Sequence, residues 1–184
     1  MRRAVVTIGA AVAAAALAAV AVFAVRGAAA PDPIEITNAT VAQGHVLDAA
    51  GEPVAGAEVY AELWPANDAE FGDGDVVPWH EVGTTRTDDA GRFAFVLDPA
   101  TVPAGFRNVG DDDAWVQLHV GVADPHAQAS WGLPALTAVD WAAPGPGTTR
   151  PAWSLRTDEG DLPPSRVDIV LVVRGDSRVR VLPR

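Results

Sequence analysis

From Thr40 onward the chain alternates apolar and polar residues in short runs, the period-two signature of half-buried strands. Over Ala57 to Trp64 the alternation sets Val59, Ala61 and Leu63 on one face and Glu58, Tyr60 and Glu62 on the other. Over Arg92 to Leu97 it turns Phe93, Phe95 and Leu97 inward and Arg92, Ala94 and Val96 outward. Trp115 to Val122 separates Val116, Leu118, Val120 and Val122 from Trp115, Gln117, His119 and Gly121. Arg166 to Arg174 alternates too, but its nearly continuous apolar run marks a central strand. Thr40 to Asp48, Trp79 to Thr87 and Ser177 to Leu182 complete the set, and Asp124 to Trp131 offers a further strand pair. Arg178 and Arg180 share one face of the last strand, as a charged edge would have.

Turn chemistry punctuates these runs. Asp48-Ala49-Ala50-Gly51 and Asp88-Asp89-Ala90-Gly91 each place an Asp that can bond its own backbone before a Gly that supplies a positive φ. The second reads as a hairpin turn. Residues 133–164 are rich in Pro and Gly and read as one long irregular loop. No segment after the N-terminus keeps a helical period. The fold class is therefore all-β: a seven- to nine-stranded antiparallel sandwich over residues 38–184.

The N-terminus is a different material. Met1-Arg2-Arg3 precedes an uncharged run from Ala4 to Val25. As a helix that run would span about 33 Å, against a hydrocarbon core of about 30 Å. The leading arginines hold the start of the chain inside and send the rest across. Residues 1–27 read as a signal peptide or a transmembrane signal anchor, followed by a linker over 28–37. Gly27-Ala28-Ala29-Ala30 would suit cleavage, whereas the length of the run suits an anchor. The expected location is the cell membrane, single-pass with the C-terminal domain outside, or the exterior if the segment is cut.

Composition narrows the chemistry. The chain of 184 residues has no Cys, so it has neither disulfides nor thiolates to use. All its basic residues are Arg, and the net charge of −11 argues against nucleic acid and anionic lipid surfaces as partners. His45, His80, His119 and His126 show no metal-ligand spacing. No nucleophile motif and no phosphate-cradling glycine loop is present. No cofactor and no metal is expected. Trp115, Gln117 and His119 form a polar stripe on one strand face, either a binding surface or a solvated outer face. Trp131, Trp141 and Trp153 could stack on a sugar or another small ligand or else pack in the core. The acidic loop with Asp68, Glu70, Asp73 and Asp75 could hold Ca²⁺ together with backbone carbonyls, but it does not fit the EF-hand pattern and reads rather as a solvated charge run.

Three segments carry a resemblance: Gly44-x-Val46-x-Asp48, Gly51-x-Pro53-Val54-x-Gly56-Ala57-x-Val59, and Thr87-Asp88-x-x-Gly91-x-Phe93-x-Phe95. Here the chain resembles the carboxypeptidase regulatory-like domains, which share the transthyretin-like (prealbumin) sandwich. The resemblance implies a non-catalytic module of an exported protein. The same stretch is similar to the intradiol ring-cleaving dioxygenases, which hold iron with Tyr and His. Phe71, Phe106 and Gln117 stand where three of those ligands would be, and none of them can ligate iron as Tyr or His does. The transthyretin-like hydroxyisourate hydrolases are also similar, but their closing Tyr-Arg-Gly-Ser is absent. The expected function is an exported, membrane-tethered, non-catalytic module for interaction or structural support at the cell envelope, with an envelope protein or a glycan as partner. A carbohydrate- or small-ligand-binding module and a divergent dioxygenase-like enzyme are the alternatives.

Overall fold

The structure is a computed structural model that describes residues 36–123, 131–140 and 151–184. These residues form eleven strands: β1 (Thr40–Leu47), β2 (Glu58–Leu63), β3 (His80–Arg86), β4 (Arg92–Val96), β5 (Asn108–Val109), β6 (Ala114–Val122), β7 (Trp131–Asp140), β8 (Trp153–Thr157), β9 (Gly160–Leu162), β10 (Val167–Val172) and β11 (Arg178–Val181). They build a four-stranded sheet ordered β11-β10-β1-β4 and a seven-stranded sheet ordered β3-β2-β6-β7-β8-β9, with β5 added beside β6. The only helical pieces among the described residues are three single turns of 3₁₀ helix.

The alternating faces fall where the pattern puts them. Val59, Ala61 and Leu63 of β2, Val116, Leu118 and Val120 of β6, and Phe93 of β4 are buried in one continuous core with Ile169 and Leu171 of β10. The two sheets close on each other through these side chains, and each large apolar one adds about 1.5–3 kcal/mol. Phe93 and Phe95 pack with ring centroids 6.0 Å apart. The continuous run in β10 is explained by its place: it is central, and Val170 and Asp168 on its outer face are buried as well. Arg178 and Arg180 lie on β11, an edge.

Four expectations need correction. The strands exceed nine, because short β5 and β9 carry too little alternation to be read from sequence. The sheets are antiparallel except at one seam, where β1 and β10 run parallel with Gly44 opposite Ile169 and Val46 opposite Leu171. The 88–91 turn joins no hairpin: β3 belongs to the large sheet and β4 to the small one, so it is a corner between sheets. Lastly, the stretch over 133–164 is not one irregular loop. It contributes β7, β8 and β9, and the pairing of β7 with β6 spans most of both strands. Gly132 and Pro134 hide the strand character of β7 from propensity, while neighbours on both sides supply the ladder. Residues 141–150, residues 124–130 of the suggested strand pair, and residues 1–35 lie outside the described residues.

The corner at Gly91 is tightly built. Asp88 Oδ1 accepts from the backbone N–H groups of Ala90 and Arg92, each at 2.9 Å, and Arg92 pairs back to the same carboxylate. Gly91 has φ +74°, and a Cβ there would lie 2.7 Å from the Val46 carbonyl oxygen. Only glycine fits that approach without displacing β1.

Candidate functional site

The outer face of the large sheet collects side chains in three rows. In the middle row Glu81 of β3 stands directly opposite Glu62 of β2, and Glu62 stands opposite His119 of β6. A register shift between Ala61 and Glu62 creates the Glu62–Glu81 pairing, because β3 carries Val82 as an extra residue there. On one side of this row Trp64 and Trp79 pack with centroids 4.4 Å apart at 54°, and Trp79 reaches His119 at 5.4 Å. On the other side Tyr60 meets His119 edge-on at 5.6 Å. Tyr60 lies across Gly121: a Cβ on that glycine would sit 2.2 Å from the phenol oxygen. A carboxylate pair is thus walled on both sides by aromatic rings.

The electrostatics of this face are unresolved within the fold. Glu62 Oε2 is 4.0 Å from His119 Nδ1, beyond hydrogen-bond reach. His119 Nδ1 and Trp64 Nε1 are buried with no hydrogen-bond partner. Burial, and then the Glu81 charge, push the Glu62 carboxyl above the usual range. Burial holds the His119 imidazole below its ordinary value, so it is neutral at neutral pH and offers Glu62 no counter-charge. Trp79 remains 39% exposed.

Beyond Trp64 an amide chain continues the face. Gln117 Nε2 donates to Asn67 Oδ1 at 2.5 Å, and the Asn67 backbone N–H donates to Asn108 Oδ1 at 2.7 Å. Asn108 and Trp115 are cross-strand neighbours, and with Asn67, Asp68 and Arg107 they line an open groove.

The stripe read from sequence, Trp115, Gln117 and His119, is therefore on one face, and the fold joins Tyr60, Glu62, Trp64, Trp79 and Glu81 to it. Alternation already turned Tyr60 and Glu62 outward. No local pattern encodes the β2–β3 register, which brings Glu81 and Trp79 alongside. Trp153 is a correction: it is completely buried and donates from Nε1 to the Leu97 carbonyl at 2.6 Å, so it is a core residue and not a stacking platform. Trp131 opens β7, where its backbone pairs with Val122. Trp141 lies outside the described residues, as does His126. At the positions compared with iron ligands, Gln117 is held by Asn67, Phe106 packs against His80 at 5.2 Å, and Phe71 is exposed. Among the described residues no three His, Asp or Glu side chains gather as a metal site.

A second polar cluster lies on the outer face of the small sheet. Asp168 is 2% exposed. Its Oδ1 is 2.7 Å from His45 Nδ1, and its Oδ2 accepts from Arg180 Nε at 3.0 Å and from Arg180 Nη2. Beside it, burial pushes the Asp88 carboxyl up, but hydrogen bonds from the Arg92 side chain and from the Arg92 and Ala90 backbone outweigh burial and hold it below the usual range.

No protein-family model matches the chain, and no curated protein matches it either.

Proposed function

We propose that this chain is an exported β-sandwich module, held at the cell envelope by its N-terminal apolar segment, that works by binding a partner and not by catalysis. The observation that carries the reading is the outer face of the large sheet. There, half-exposed Trp79, Glu81 and the partly buried Glu62 and His119 stand together with their polar groups unmatched by the fold. Proteins seldom leave such a face uncompensated unless something else meets it. The finer fold is that of the carboxypeptidase regulatory-like, transthyretin-like domains. The corner around Asp88 and Gly91 and the inward Phe93 and Phe95 support that assignment.

Address and export rest on Arg2, Arg3 and the apolar run that follows. Cell fractionation tests them. The full chain is expected with the membranes, its C-terminal domain cut by protease added from outside. Full-length chain in the cytosol would overturn both the anchor and the signal reading.

A further inference from the structure

We propose that the outer face of the large sheet is a docking surface for a basic segment of another protein, whose Lys or Arg side chain enters between Trp79 and Tyr60 onto the Glu62–Glu81 pair. The inference deepens the binding reading above and rests on it.

Three observations converge. First, Glu62 and Glu81 are directly opposite across β2 and β3, an arrangement that destabilises a sheet by itself. The side chain beyond Glu62 in the same row, His119, is neutral and out of hydrogen-bond reach. Arg86, on the same strand as Glu81, is committed to Glu58 at 3.0 Å. An incoming cation would relieve a repulsion that the fold leaves standing.

Second, the walls suit a cation. An ammonium or guanidinium over an aromatic face gains from the ring quadrupole, most of all over Trp and when water is partly excluded. Trp64, Trp79, His119 and Tyr60 form a continuous aromatic line beside the carboxylates.

Third, the approach is negative. The connection from β2 to β3 carries Asp68, Glu70, Asp73 and Asp75, with all but a few of its residues exposed, and the whole chain bears −11. Such a field attracts basic partners over distance and repels acidic ones. The small-sheet face lacks this character, because its buried carboxylate is already matched by His45 and Arg180.

The test uses the full-length chain in detergent micelles and calorimetric titration with a synthetic peptide of alternating lysine and threonine. An alternating glutamate–threonine peptide is the control. The basic peptide is expected to bind and the acidic one not. Replacing the pair, Glu62→Gln with Glu81→Gln, is expected to weaken binding about tenfold, and Trp79→Ala, which leaves the charge unchanged, about fivefold. Removing the same charge elsewhere, Asp158→Asn with Glu159→Gln in the exposed β8–β9 turn, is expected to change affinity less than about twofold. Equal weakening by the two double variants would show attraction by net charge alone and overturn the docking surface, as would no binding of the basic peptide. A thermal melt of the Glu62→Gln, Glu81→Gln chain no lower than the parent guards against unfolding as the cause. A chain that fails here yet fractionates with membranes and is cut from outside would overturn this surface while leaving the envelope reading intact; a cytosolic chain that still binds the peptide would do the reverse.

Discussion

The two sheets turn two differently finished faces to solvent. On the small sheet, Asp168 is buried between β1 and β11 and meets a donor on each side, His45 and Arg180, while Asp88 nearby is answered by Arg92. Both of those carboxylates have an arginine counter-charge within the chain. On the large sheet, Glu62 faces a like charge on one side and a neutral imidazole on the other. The contrast separates polar groups that hold a fold together from polar groups that the fold tolerates. A matched buried carboxylate specifies how strands sit together. An unmatched one leaves its charge open to whatever meets the face.

The largest expected effect removes the frame under the small-sheet face. Gly91→Val forces a Cβ into the left-handed region and onto the Val46 carbonyl, and should destabilise the domain by more than about 2 kcal/mol in urea melts. An unchanged midpoint would mean that the corner does not place β4. Next, Asp168→Ala strips His45 and Arg180 of their acceptor. Both donors can reach water, so the loss should be about 1.5–3 kcal/mol, less than for a fully buried pair. A neutral result would erase the contrast between the faces.

Asp88→Asn should lose about 1 kcal/mol at neutral pH, since the charge-assisted bonds from Arg92 weaken. The pH dependence sharpens the comparison, because the two carboxyls shift in opposite directions. Asp88, held low, stabilises above the ordinary carboxylate range, and that contribution is lost as pH falls through its folded value. Glu62, held high, contributes stability below the ordinary range that is lost as pH rises through its folded value. Melts across acidic pH should therefore show a shallower acid decline in Asp88→Asn and a steeper one in Glu62→Gln; parallel curves would refute the assignment. The smallest effect is a gain: Glu81→Gln should raise stability by about 0.2–1 kcal/mol by ending the cross-strand repulsion. A loss there would mean that Glu81 is matched after all.

The strands that alternate strictly were legible from sequence. In β2, β4 and β6 the inward set is the buried set, because one face of each is core and the other is not. The strands β7 and β8 were not legible: Gly132 and Pro134 interrupt the period of β7, β8 is only five residues long, and pairing of β7 with β6 and of β8 with β7 reveals them. Trp153 was misread for a related reason. Its indole N–H needs a buried acceptor, and the Leu97 carbonyl that provides it is far away in sequence. For the site, composition and period placed Gln117 and His119 outward, but the carboxylate pair depends on a one-residue bulge that no local pattern encodes. The Asp168 cluster joins strands from opposite ends of the chain and was invisible for the same reason.

The parallel seam between β1 and β10 also has a meaning in time. β1 is among the first parts of the sandwich to be synthesised, yet one of its edges stays open until β10, near the end of the chain, has been made and freed. β4 can cover the other edge early, but the small sheet cannot close until β10 is available. Such long-range pairing is slow and leaves a strand edge exposed to neighbours in the interval. A chain cut short before Val167 would leave one edge of β1 unpaired and open to neighbouring strands.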